Sequence, residues 1–139
     1  MRVGLELLNR ARRAGARTVF VVGTGRDVGK TVAMRAIYTA ACDQKLRVAL
    51  ASIGRDSEGA QRGEVRAKPL LWLLPGTIFV TARALLPRSP ASQIVRLSSL
   101  RSAAGELLYA RVEQPAYYEL AGPPTASGTH EVIDELLAR

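Results

Sequence analysis

An α/β domain of three layers around a mainly parallel sheet is the fold the sequence predicts, from two β-branched apolar runs and a helical pattern between them. Residues 17–22 (RTVFVV) and 47–53 (RVALASI) are short and almost wholly apolar, the composition of strands buried on both faces. Between them, residues 30–43 carry Val32, Ala33, Ala36, Ile37, Ala40 and Ala41 at helical spacing. Strand, helix and strand in that order make a βαβ unit with a right-handed crossover. At 139 residues the chain suits one domain spanning 1–139.

The remaining elements follow from local pattern. Residues 3–14 place Val3, Leu7, Leu8 and Ala11 near helical spacing, and Gly15 supplies a left-handed stop. Residues 54–69 (GRDSEGAQRGEVRAKP) are polar with no apolar period, a candidate mobile loop. Short strands are expected at 70–74, before Pro75-Gly76, and at 77–81 (TIFVT). Residues 82–86 start a short helix that Pro87 and Pro90 end. Further strands are expected at 94–97, 107–112 and 117–121, with Gly105 between the first two. After GPPTASG, a last helix over 129–137 turns Val132, Ile133, Leu136 and Leu137 inward and Asp134 to water. Trp72 and its leucine neighbours read as core, and Cys42 as buried filler.

Composition excludes several functions. No apolar run approaches the roughly 20 residues a spanning helix needs, and the arginine-bearing N-terminus lacks a signal-peptide core. One cysteine rules out an intrachain disulfide and a multi-cysteine metal site, so a reducing cytoplasm and no membrane partner are expected. The net charge of +8 comes almost wholly from arginines scattered along the chain, without stacking aromatics, which speaks for solvated surface rather than nucleic acid. His130 reads as exposed, and neither Ser102 nor Ser127 has a histidine at a recognisable spacing.

The chemistry concentrates in GTGRDVGKTV, Gly23 to Val32, set between the expected strand and helix. Glycines let successive backbone N–H groups turn toward a polyphosphate, and the positive end of a helix dipole adds to the attraction. Gly23, Thr24, Gly25, Arg26, Asp27, Val28, Gly29, Lys30, Thr31 and Val32 are therefore the candidate nucleotide-binding residues. Lys30 would reach the terminal phosphates, and the Thr31 hydroxyl would ligate Mg²⁺. The usual pattern asks for glycine five residues before Gly29, where this chain has Thr24, with Gly23 just ahead. Asp56, after the second expected strand, is the candidate to assist at the metal, with Glu58 behind it; a solvated acidic turn is the other reading.

This loop resembles that of dethiobiotin synthetases, members of a class of P-loop ATPases that also holds MinD-like and Mrp-like proteins. Gly23, Thr24, Val28, Gly29, Lys30 and Thr31 match that loop and Asp27 stands for its glutamate, whereas Gly25 and Arg26 depart from it. The family's Lys-Pro substrate pair has no counterpart after the second expected strand, so the resemblance implies ATP and Mg²⁺ but not the biotin substrate. Over most of the chain from Val19 onward, GTGRDVGKT, ASIGRDSEG, AKPLLWLLPGTIFVTARALLP and ELAGPPTASG resemble the small P-loop subunit of lysine 5,6-aminomutase reactivases. That resemblance implies an ATPase that drives damaged cobalamin off a B12-dependent aminomutase, with the aminomutase or a second reactivase subunit as partner. The wider class often dimerises across the nucleotide face. A ligase of dethiobiotin-synthetase type and a non-hydrolysing nucleotide-binding or basic interaction module are the alternatives.

Hydrolysis normally needs a second acid at a buried strand end, to hold Mg²⁺. Glu119, closing the run YYEL, is the candidate metal residue there, and a plain strand edge is the competing reading. The chain ends as a helix closes, at Arg139, where the class carries further strands. The P-loop NTPase-like fold is accordingly expected to lack its C-terminal strands, and with them the second acid.

Overall fold

A computed structural model describes residues 2–22, 29–53, 70–88 and 91–139, which form two compact units divided after Val48. The loop expected at 54–69 lies outside the described residues.

The first unit is a pair of helices, α1 (Arg2–Arg13) and α2 (Lys30–Asp43). Leu8, Ala40 and Ala41 form its core, with Ile37, Leu46 and Val48 packed against them. Small residues let the helices approach closely: a Cβ on Gly4 would collide with the Ala36 carbonyl. Arg12 adds a polar tie, its guanidinium donating to Gln44 Oε1 at 2.7 Å. Both helices end in a left-handed turn that recovers their last carbonyls. In α1 the turn residue is Gly15, at φ 72°, with Gly15 and Ala16 N–H groups bonded back to Arg12 and Ala11. In α2 it is Lys45, at φ 56°, with Lys45 and Leu46 bonded to Cys42 and Ala41. Cys42 is half-buried rather than enclosed.

The second unit holds β1 (Ala49–Leu50), β2 (Leu71–Leu73), β3 (Ile78–Ala82), a 3₁₀ turn over Arg83–Leu85, β4 (Ser92–Ser102), β5 (Gly105–Val112), β6 (Ala116–Tyr118) and α3 (Ala126–Leu137). Its main sheet runs β1-β3-β5-β4, and β2 pairs with β6 in a separate ribbon. Among the described strands only β1 and β3 are parallel; β3–β5, β5–β4 and β2–β6 are antiparallel. Val80, Ala82, Leu107 and Tyr109 make one sheet face and pack with Ala121 and with Val132 of α3. On the other side Phe79 meets Tyr118 of β6, ring centres 4.7 Å apart. The Tyr118 hydroxyl donates to the Ala91 carbonyl at 2.9 Å, and Thr81 Oγ1 donates to the Glu119 carbonyl at 2.7 Å. Inside a closed core each hydroxyl thereby keeps the partner that burial demands.

This architecture corrects the expected mainly parallel, three-layer P-loop fold: the described sheet is mixed, with one parallel pair. The reason lies in connection lengths. A parallel return needs a crossover of about a dozen residues or more, whereas a turn of a few residues returns the chain antiparallel. Ser102 pairs with Gly105 directly, so β4 and β5 are a hairpin, with Gly105 at φ 116° closing it.

The strand expected at 17–22 is likewise absent. No strand is assigned there, and Val19, Phe20 and Val22 are 48%, 57% and 76% exposed. A β-branched run becomes a strand only against a neighbour, and no described strand pairs with residues 17–22. The expected βαβ unit therefore does not form, and the strand expected over 47–53 is reduced to the two residues of β1.

Candidate phosphate-binding helix end

Gly29 stands at the N-cap of α2 at φ 87°, ψ 13°, in the left-handed region, and nothing among the described residues lies within 4 Å of where its Cβ would be. Glycine enters this conformation without the steric cost other residues carry. Most helices cover their first N–H groups with a Ser, Thr, Asp or Asn side chain. Here the N-cap residue is a glycine with no side chain to cap the end, and no acid occupies the first turn, so the positive end of the helix meets no carboxylate from its own first turn. Lys30 begins the helix with an exposed side chain, Thr31 follows half-buried, and Val32 is 63% exposed instead of turned inward.

Of the other predicted site residues, Gly23, Thr24, Gly25, Arg26, Asp27 and Val28 lie outside the described residues, as do Asp56 and Glu58. Glu119 belongs to the second unit, just past β6. Its half-buried position and its carbonyl bond to Thr81 fit the strand-edge reading. Among the described residues no group of three or more His, Cys, Asp or Glu side chains could hold a metal ion.

Two surface features went unread in the sequence. An open groove of about 550 Å³ between β4 and α3 is lined by Leu100, Ser127, Gly128, His130, Glu131, Asp134 and Glu135. Tyr109 is raised above the usual tyrosine range by burial first, and next by the carboxylates of Glu135 and Glu131. The i, i+3 and i, i+4 spacings of α3 were the available signal for this groove. On the β2–β6 ribbon, Leu71 and Leu73 are buried, but Trp72 is 49% exposed and meets Tyr117 edge-on at 4.9 Å. Strand alternation explains this split, and it corrects the assignment of Trp72 to the core.

No protein-family model, curated protein or solved structure matches the chain. No described helix is long and apolar enough to cross a membrane.

Proposed function

We propose that the chain binds a nucleoside triphosphate, ATP with Mg²⁺, through the loop from Gly23 to Thr31 and the helix end that follows it. The observation that carries this reading is the left-handed Gly29, with no side chain of its own, directly before Lys30 and Thr31 at the start of α2. Backbone N–H groups at a helix start attract phosphate oxygens, and this start has no acid in its first turn to oppose an anion. Lys30 neutralises the β- and γ-phosphates, and Thr31 supplies a hydroxyl to Mg²⁺, which in turn neutralises phosphate charge. Asp56 is the acid assigned to that metal from the sequence. The output is a change passed to a protein partner, which by the reactivase resemblance is a B12-dependent aminomutase.

Titration calorimetry with ATP, with and without Mg²⁺, tests the binding step on the parent chain and on Lys30→Ala. The exposed position of Lys30 leaves folding intact in the variant. Binding by the parent that Mg²⁺ strengthens and Lys30→Ala abolishes is the expected result. Equal binding by both chains, or by neither, removes the proposal. If binding holds, cobalamin release from the aminomutase, measured with ATP and with a non-hydrolysable analogue, tests the output.

A further inference from the structure

One face of the β2–β6 ribbon is apolar and open. Leu71, Leu73 and Tyr118 turn into the core, and the pairing of Trp72 with Tyr117 sets these two side by side on the opposite face. Leu70 and Leu74 continue the outward alternation on either side of Trp72, 51% and 38% exposed, and Tyr117 is 58% exposed. None of these four side chains is charged. The rings of Trp72 and Tyr117 meet at 64°, an angled pair rather than a flat stack. Beneath them the ribbon is fixed, because Tyr118 packs on Phe79 and donates to the Ala91 carbonyl, and the Gly76 N–H donates to the Val112 carbonyl at 2.9 Å. The face is therefore preformed.

We infer that this face binds a proline-rich peptide segment in the polyproline II conformation. Its size speaks against a second copy of the chain: the exposed parts of Leu70, Trp72, Leu74 and Tyr117 come to about 400 Å², about half of the roughly 800 Å² that each partner gives to a stable interface. So small a contact holds only a ligand that loses little freedom on binding, and a polyproline helix is stiff before it binds. From Leu70 to Leu74 the strand direction covers about 13 Å, room for about four residues of polyproline II, more than one of its turns. That helix has no internal hydrogen bonds, so its carbonyls are open to donation from the Trp72 Nε1–H and the Tyr117 hydroxyl, while prolyl rings cover the aromatic faces and the leucines. A sugar would set hydroxyls against Leu70 and Leu74, which cannot hydrogen-bond them. A nucleic-acid strand would stack bases on the rings, but none of the four side chains offers a cation to its phosphates. The site lies in the second unit and is independent of the nucleotide reading.

Trp72 is the only tryptophan of the chain, so its fluorescence reads this face directly. Titration of the full chain with decaproline, with a glycine–serine peptide of equal length and with cellohexaose tests the inference. A saturable blue shift of the Trp72 emission with decaproline, and none with the other two, is expected. In calorimetry with decaproline, Tyr117→Ala should weaken binding at least about tenfold, and Tyr117→Phe, which removes only the hydroxyl, about threefold to tenfold. Lys30→Ala should leave it unchanged. Tyr117 is more than half exposed; if circular dichroism nevertheless shows the alanine variant unfolded, the phenylalanine variant reads the same contact. Absence of a shift with decaproline overturns the inference, as does equal binding of the glycine–serine peptide, tighter binding of cellohexaose, or decaproline binding that neither Tyr117 substitution weakens. Sedimentation that shows a dimer which Tyr117→Ala dissociates also overturns it and gives the face to a second copy.

Discussion

Gly4→Ala tests whether α1 and α2 meet as closely as described. At an open helix position the change stabilises by about 1 kcal/mol, because alanine is the better helix former. Here the new Cβ would fall on the Ala36 carbonyl oxygen and stand 2.9 Å from the Ala36 Cβ. Neither atom belongs to a side chain that can swing aside, so the helices must separate. Overpacking of this kind costs about 1–3 kcal/mol, and parting also uncovers Leu8, Ala40 and Ala41. Set against the propensity gain of about 1 kcal/mol, the expected net effect is a destabilisation of up to about 2 kcal/mol. Urea denaturation followed by helical circular dichroism at 222 nm measures it. An increase in stability by the propensity value would show that the two helices do not touch at Gly4, and would refute the packing on which the first unit rests.

Lys45→Gly should act in the opposite direction and stabilise by up to about 1 kcal/mol, because the α2 stop holds a lysine at φ 56°, a conformation glycine enters without penalty; an unchanged urea midpoint would count against that turn. Burial raises both Tyr109 and Tyr118, with nearby carboxylates adding to the shift at Tyr109. The unfolded chain therefore loses these protons first. The resulting stability is complete below the ordinary tyrosine value of 10.0 and is lost as pH rises from there through the folded values. Tyrosinate absorbance near 295 nm should show two groups that ionise late in the native chain and normally in urea; four tyrosines titrating together would contradict it.

Local signals carried the helices well. The stripe from Ala36 to Ala41 sets α2 at Lys30–Asp43, and Gly15 stops α1, both as the sequence indicates. The Val132–Leu137 pattern finds α3, although the helix starts earlier, at Ala126, where the Thr125 hydroxyl accepts from the Gly128 N–H at 3.1 Å. Strands were found by composition but misjudged in partnership, since residues 17–22 and 78–82 look alike in sequence and differ only in having a neighbour. Pairing is a property of two segments, and strands read separately at 94–97 and 107–112 did not disclose the hairpin that Ser102 and Gly105 close. Of the candidate site, the helix start with its glycine, lysine and threonine was legible because its geometry is local. The groove on α3 was not, because it depends on Leu100 of β4 standing opposite a helix that begins more than twenty residues later.

The mixed sheet also has a history in time. Its hairpin joins Ser102 to Gly105 and zips outward, whereas the parallel pair must bring Ala49 to Ile78 across 29 positions of chain. Closing the longer span costs more entropy before any contact rewards it, and β1 offers only two residues in return. The hairpin is therefore the expected seed of the second unit, and β1 the last strand to join and the first to leave. Because β1 also begins this unit, at Ala49, the latest step in its folding falls on the first residues of the unit, directly after Val48 in the sequence.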